Sequence, residues 1–149
     1  MALFDVVEEH PHAKMRRRVI LGIVLVIFLA GGLWWVLRYH QERVTMLHFM
    51  TAVIAGNMQE AYQIWKPSPS YSFKDFQDDW GPNGYYGPVK SFHIKDSERP
   101  RASSAVAIKL ELSPYQPFPA DNDMAKQSKT KELVLWVELK DESISFPPF

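Results

Sequence analysis

The stretch that most constrains this chain is Val19 to Leu37, VILGIVLVIFLAGGLWWVL, nineteen residues without a charge. As a helix it spans about 28 Å at roughly 1.5 Å per residue, close to the roughly 30 Å hydrocarbon thickness of a bilayer. A helix also satisfies its own backbone hydrogen bonds, as lipid requires. The expectation is a single transmembrane helix over residues 19–37. Lys14, Arg16, Arg17 and Arg18 precede it, whereas Arg38 and Arg43 are the only basic residues among the next twenty. That bias places the N-terminus in the cytoplasm and the C-terminal part on the periplasmic or extracellular side of a cell membrane. Trp34, Trp35 and Tyr39 suit the aromatic belt at the outer interface. The competing reading is a cleaved secretory signal cut near Ala30-Gly31-Gly32. Leu33 to Leu37 continue the apolar run beyond that point, which a spanning helix needs and a signal does not.

The remainder divides into a tail, residues 1–18, and one domain, residues 38–149. Those 112 residues suffice for one core and not for two. Acidic and basic side chains balance at seventeen each and neither the tail nor the domain is a polycation, so nucleic acid is not an expected partner. Without cysteine there are no disulfides, no thiol catalysis and no sulfur-ligated metal. The tail mixes Leu3, Phe4, Val6 and Val7 with Asp5, Glu8 and Glu9. Too short for a core of its own, it is either solvated or a docking segment in which Phe4 is the bulkiest contact. His10 and His12 form an HxH pair, two imidazoles lacking the further ligands a metal needs.

Arg38 to Ala55 contains no Pro or Gly, so the helix is expected to run on out of the membrane. Its apolar residues form two stripes: Val44, Leu47 and Ile54, then Met46, Phe49, Met50 and Val53. A helix apolar over so much of its circumference is expected to be covered on more than one side. Gly56-Asn57 supplies a stop, Met58 to Trp65 a second helix ended by Pro67 and Pro69, and Ser72 with Asp75 a capping box that opens a third, closed by Gly81-Pro82. From there the period becomes two. Val89 to Lys95 alternates weakly; Ser104 to Leu112 turns Val106, Ile108, Leu110 and Leu112 to one face; Lys131 to Lys140 does so with Leu133, Leu135, Val137 and Leu139. Ser143 to Phe146 adds a short fourth strand. Ser113 to Thr130, rich in Pro and polar residues, is long for a hairpin connection and reads as a binding loop or flap. The fold class is therefore α+β: a single N-terminal transmembrane helix continuing into two or three helices packed on a three- to four-stranded antiparallel sheet.

Val44 to Trp65, followed by Ser72-Phe73-Lys74-Asp75-Phe76 and Gly87-Pro88-Val89, resembles the cystatin-like cone domains of the nuclear transport factor superfamily. The likeness covers roughly Val44 to Leu139 and rests on the spacing of a long helix, a Gly with a short polar residue, an Ala-Tyr pair and a glycine before the first long strand. With one N-terminal span, the chain is similar to bacterial relatives of cytochrome oxidase complex assembly protein one. The resemblance implies a cone fold, which hosts enzymes, binders and scaffolds alike. One departure is the ending ISFPPF, where such domains often finish on a strand with Trp and Gly.

Candidate chemistry is sparse. Asp75, Asp78 and Asp79 share a helical face at i, i+3 and i+4, a spacing open to acid and base work or a cation but far more often a solvated face on a short surface helix. Asp121 and Asp123 flank Asn122 like the start of a calcium loop, without the Gly and distant Glu that complete one. His48 and His93 read as packed or surface histidines. No Walker loop, nucleophile elbow, HExxH or GxGxxG occurs. The expectation is a non-enzyme without catalytic, cofactor-binding or metal residues. Aromatics crowd from Tyr62 to Phe92, and Trp80, Tyr85 and Tyr86 flank or occupy a Gly-Pro loop, a setting suited to protein contact or a pocket rim. The expected partners are the lipid bilayer and the subunits of a membrane protein complex, with Phe4, Trp34, Trp35, Phe49, Trp80, Tyr85 and Tyr86 as contact residues. The chain then serves as an accessory subunit or assembly factor. The alternative is a cone cavity that binds a small apolar ligand or performs a simple isomerisation or dehydration.

Overall fold

The computed structural model describes residues 11–148, which fall into two compact units dividing after Arg38. The first is one helix, α1 (Pro11–Leu37). Its apolar side chains face outward all round, Phe28 at 76 % and Trp35 at 72 % exposure. Among the described residues this is the one helix long and apolar enough to cross a membrane.

Helicity does not continue unbroken. Tyr39 takes left-handed backbone angles, φ 69° and ψ 19°, between α1 and α2 (His40–Ile54). A non-glycine residue there costs about 1 kcal/mol, and neither Pro nor Gly announces the break. The Arg43 N–H bonds the Tyr39 carbonyl at 3.1 Å, so α2 starts its own ladder at that residue.

The second unit is α+β. Helices α2, α3 (Met58–Trp65) and α4 (Phe73–Trp80) precede an antiparallel meander in spatial order β1-β2-β3-β4. The strands are β1 (Ser91–Glu98), β2 (Ala105–Ser113), β3 (Lys131–Glu138) and β4 (Ile144–Ser145), with a single-turn helix, α5 (Met124–Gln127), between β2 and β3. Local chemistry sets each boundary. At the end of α2 the Asn57 N–H reaches Ala52 O and the Gly56 N–H reaches Val53 O, with Gly56 at φ 77°, a Schellman stop. Asn57 then caps α3 by accepting from the Glu60 N–H. Ser72 and Asp75 form a reciprocal capping box at α4, each side chain accepting from the other's backbone N–H. These bonds, led by the Ser72 hydroxyl, hold the Asp75 carboxyl below its ordinary range.

Period-two alternation carries β2 and β3 into the core. Val106, Ile108, Leu110 and Leu112 meet Val137, Leu135, Leu133 and Lys131 across the ladder. Strand β1 runs past Lys95 to Glu98 because a bulge between Ile94 and Asp96 resets its register. The bulged Lys95 ammonium reaches Glu132 at 2.7 Å and Glu111 at 2.9 Å.

Of the two stripes on α2, only Met46, Phe49, Met50 and Val53 are buried. Val44 and Ile54 are half-buried and Leu47 is exposed, so within the chain α2 is covered chiefly on one face. The sheet and the other helices gather on one face of α2. Phe49 meets Trp65, Phe76 and Trp80 there at ring distances of 5.3, 6.1 and 5.1 Å, so large rings fill the space between helices and sheet.

Candidate functional site

The aromatic loop is built on the last turn of α4. Residues Gly81 to Pro88 fold back so that the Tyr85 N–H bonds Asp78 O at 3.0 Å and the Tyr86 N–H bonds Asp79 O at 2.8 Å, satisfying carbonyls the helix leaves free. So close an approach requires glycine. A Cβ on Gly84 would stand 2.7 Å from Asp79 O, and one on Gly87 2.0 Å from Gly81 O.

This backbone sends two adjacent tyrosines opposite ways. Tyr86 turns inward, stacked on Trp80 at 5.0 Å and on Phe146 at 5.9 Å. Burial, then the nearby Asp79 carboxylate, pushes its hydroxyl above the usual phenol range. Tyr85 points out at 71 % exposure, yet it is held in place. Its ring lies edge-on to Tyr86 at 4.9 Å, and the Lys131 ammonium sits 5.5 Å from the ring centre while donating to Tyr85 O at 2.5 Å.

Beside the loop, a cleft of about 210 Å³ opens between Tyr86-Gly87-Pro88 and the end of β2, lined also by Pro114, Tyr115, Lys129 and Lys131. Tyr115 also borders a second, shallower depression together with Lys90 and Ile54. The Lys126 ammonium lies 5.8 Å from the Tyr115 ring centre. The long connection is thus a built element, pinned by Gln127 Nε2 donating to Pro119 O at 2.9 Å.

The sequence-derived contact residues scatter. Phe4 lies outside the described residues. Trp34 and Trp35 are exposed on α1. Phe49 and Trp80 lie in the core at 0 % and 1 % exposure and offer a partner no surface. Phe49 belongs to the buried stripe of α2, and Trp80 is the final residue of α4, its ring against Phe49 and Tyr86. The indole N–H of Trp80 is buried and finds no acceptor among the described residues. Tyr85 and Tyr86 alone of the seven belong to the loop. Tyr115, Lys129, Lys131 and Phe146 were not singled out. The readable signal is three lysines, 126, 129 and 131, at the end of a Pro-rich connection that carries a tyrosine.

The candidate acid clusters separate into structural duties. Asp75 caps α4, Asp78 makes an exposed 3.7 Å ion pair with Lys74, and Asp79 accepts from the Tyr71 hydroxyl at 2.6 Å. Burial, then that bond, drives the Tyr71 hydroxyl far above its ordinary range, so it stays a donor. Asp123 caps α5 through the Lys126 N–H and pairs with its ammonium at 3.2 Å; these bonds lower its carboxyl. His48 is exposed on α2, and the His93 ring lies 6.0 Å from that of Phe118 on the outer sheet face. Among the described residues no group of three or more His, Cys, Asp or Glu is arranged to hold a metal ion.

No family model, curated protein or solved structure matches this chain.

Proposed function

We propose that α1 anchors the chain in a cell membrane, N-terminus in the cytoplasm, and that the α+β unit on the far side docks, without catalysis, onto subunits of a membrane protein complex as an accessory subunit or assembly factor. The observation that carries this reading is Tyr85. A tyrosine 71 % exposed is held by a glycine-dependent loop, a ring neighbour and a cation, so little side-chain entropy is left to lose on binding. Rigid, exposed tyrosines beside a cleft suit protein contact, where aromatic anchors dominate the energetics. A cone cavity for a small apolar ligand has less support, because Phe49, Trp65, Phe76 and Trp80 pack ring on ring where it would lie.

The test is purification of the full chain from its own membranes in mild detergent. A stoichiometric membrane subunit is expected to co-migrate and to be lost with Tyr85→Ala, which leaves the fold intact. A lone monomer from the unaltered chain would overturn the reading.

A further inference from the structure

The cleft beside Tyr85 has a chemical character that narrows what it receives. Its walls are apolar, made by Tyr86, Pro88, Leu112, Pro114 and Tyr115, and its rim carries Lys129 and Lys131. Lys126 reaches the same Tyr115 ring, and Lys90 lines the depression on the other side of Tyr115. Four ammonium groups therefore surround two tyrosines at one end of the sheet. Over the whole chain seventeen basic residues balance seventeen acidic ones, so this is a local surplus rather than a basic protein. Elsewhere Lys95 is matched by two glutamates and Lys74 by Asp78. Here Asp123 is the one carboxylate seen in an ion pair among the described residues, and it serves Lys126 alone.

Resting on the docking reading above, we infer that this cleft receives an acidic segment of a partner protein, in which an Asp or Glu lies next to an aromatic or aliphatic side chain. The apolar side chain fills the space between Tyr86, Pro88 and Tyr115, and the carboxylate sits among Lys90, Lys129 and Lys131. The size agrees. About 210 Å³ takes one large side chain, whereas whole small-molecule sites run from about 300 to 1,000 Å³. Recessed walls also favour a peptide over an anionic lipid surface, which adheres to clustered cations without needing a slot. Uncompensated cations at the rim speed encounter and select the sign of the partner, while the buried side chain sets residence.

The test uses the full chain in neutral detergent, panned against a displayed library of random heptapeptides, with phosphatidylglycerol vesicles as the second probe. Enriched peptides are expected to carry Asp or Glu adjacent to an apolar residue. Their affinity is expected to fall about tenfold or more in Lys90→Glu/Lys129→Glu and to weaken with added salt. Both lysines are exposed and among the described residues neither side chain makes a hydrogen bond or ion pair, so that variant is expected to fold; an unchanged melting temperature verifies it. Enrichment without acidic residues, indifference to the double charge reversal, or binding confined to vesicles would each overturn the inference. The two readings fail separately. A subunit that still co-purifies with the charge-reversed chain sinks the acidic-segment inference alone, whereas absence of any co-purifying subunit from the unaltered chain sinks the docking reading.

Discussion

The two units of this chain use the same residue types to opposite ends. In α1, Phe28, Trp34 and Trp35 are 64 to 76 % exposed; in the α+β unit, Phe49, Phe76 and Trp80 are at most 1 % exposed. Burial of such rings is what ordinarily stabilises a fold in water. One region thus obtains its apolar contacts from within, and the other presents them to its surroundings over its whole circumference. Hydrophobicity therefore defines a core in one unit and a choice of solvent in the other.

The widest departure between the units is expected from charge in α1. Val26→Lys with Leu29→Lys adds about 3 kcal/mol per residue to insertion, enough to move the chain from the carbonate-resistant pellet to the supernatant. Retention in the pellet would break the contrast. Next comes truncation of a ring. Phe49→Ala should cost about 3–5 kcal/mol of stability in the α+β unit, read by chemical denaturation in detergent, whereas Phe28→Ala in α1 should leave that transition in place. Glycines give opposite signs. Gly87→Ala drives a Cβ onto Gly81 O and should destabilise by roughly 2 kcal/mol. Gly31→Ala meets nothing within 4 Å and should favour its helix by up to about 1 kcal/mol, seen as higher helical dichroism on heating.

A smaller effect belongs to pH. The bond to Lys95 lowers the Glu132 carboxyl, so the stability it contributes is present above the ordinary carboxylate range and is lost as pH falls through the lowered value. Lys95 is pushed up to about 12 by its bonds to Glu132 and Glu111, so its contribution is complete below the usual lysine range and fades as pH rises toward 12. Lys95→Met should flatten melting temperature against pH at both extremes. Smallest of all, Tyr85→Ala should change stability by no more than about 0.5 kcal/mol, marking its ring as surface rather than core.

Much of the α+β layout is legible because it rests on local chemistry. Asn57, Ser72 with Asp75, and Gly56 act on backbone groups a few residues away, and β2 and β3 announce their faces by strict alternation. The parts that escaped depend on distant contacts. Tyr39 breaks the helix without any breaker residue, and the bulge at Lys95 hides the end of β1 by shifting the period. Phe49 and Trp80 read as surface anchors because a doubly apolar helix and a neighbouring Gly-Pro loop say nothing of which face the sheet will cover. The cleft rim is least legible: Lys131 and Tyr85 meet only because β3 starts beside the loop that follows α4, forty-six residues away in sequence.

Phe146 adds a constraint of timing. It lies sixty residues downstream of Tyr86, yet its ring backs that tyrosine and also rests on Trp65 and Tyr71. A nascent chain halted at Lys140 would hold Tyr86 stacked on Trp80 with its other face bare. The inward face of the loop is therefore completed only once the segment that follows β4 has been delivered.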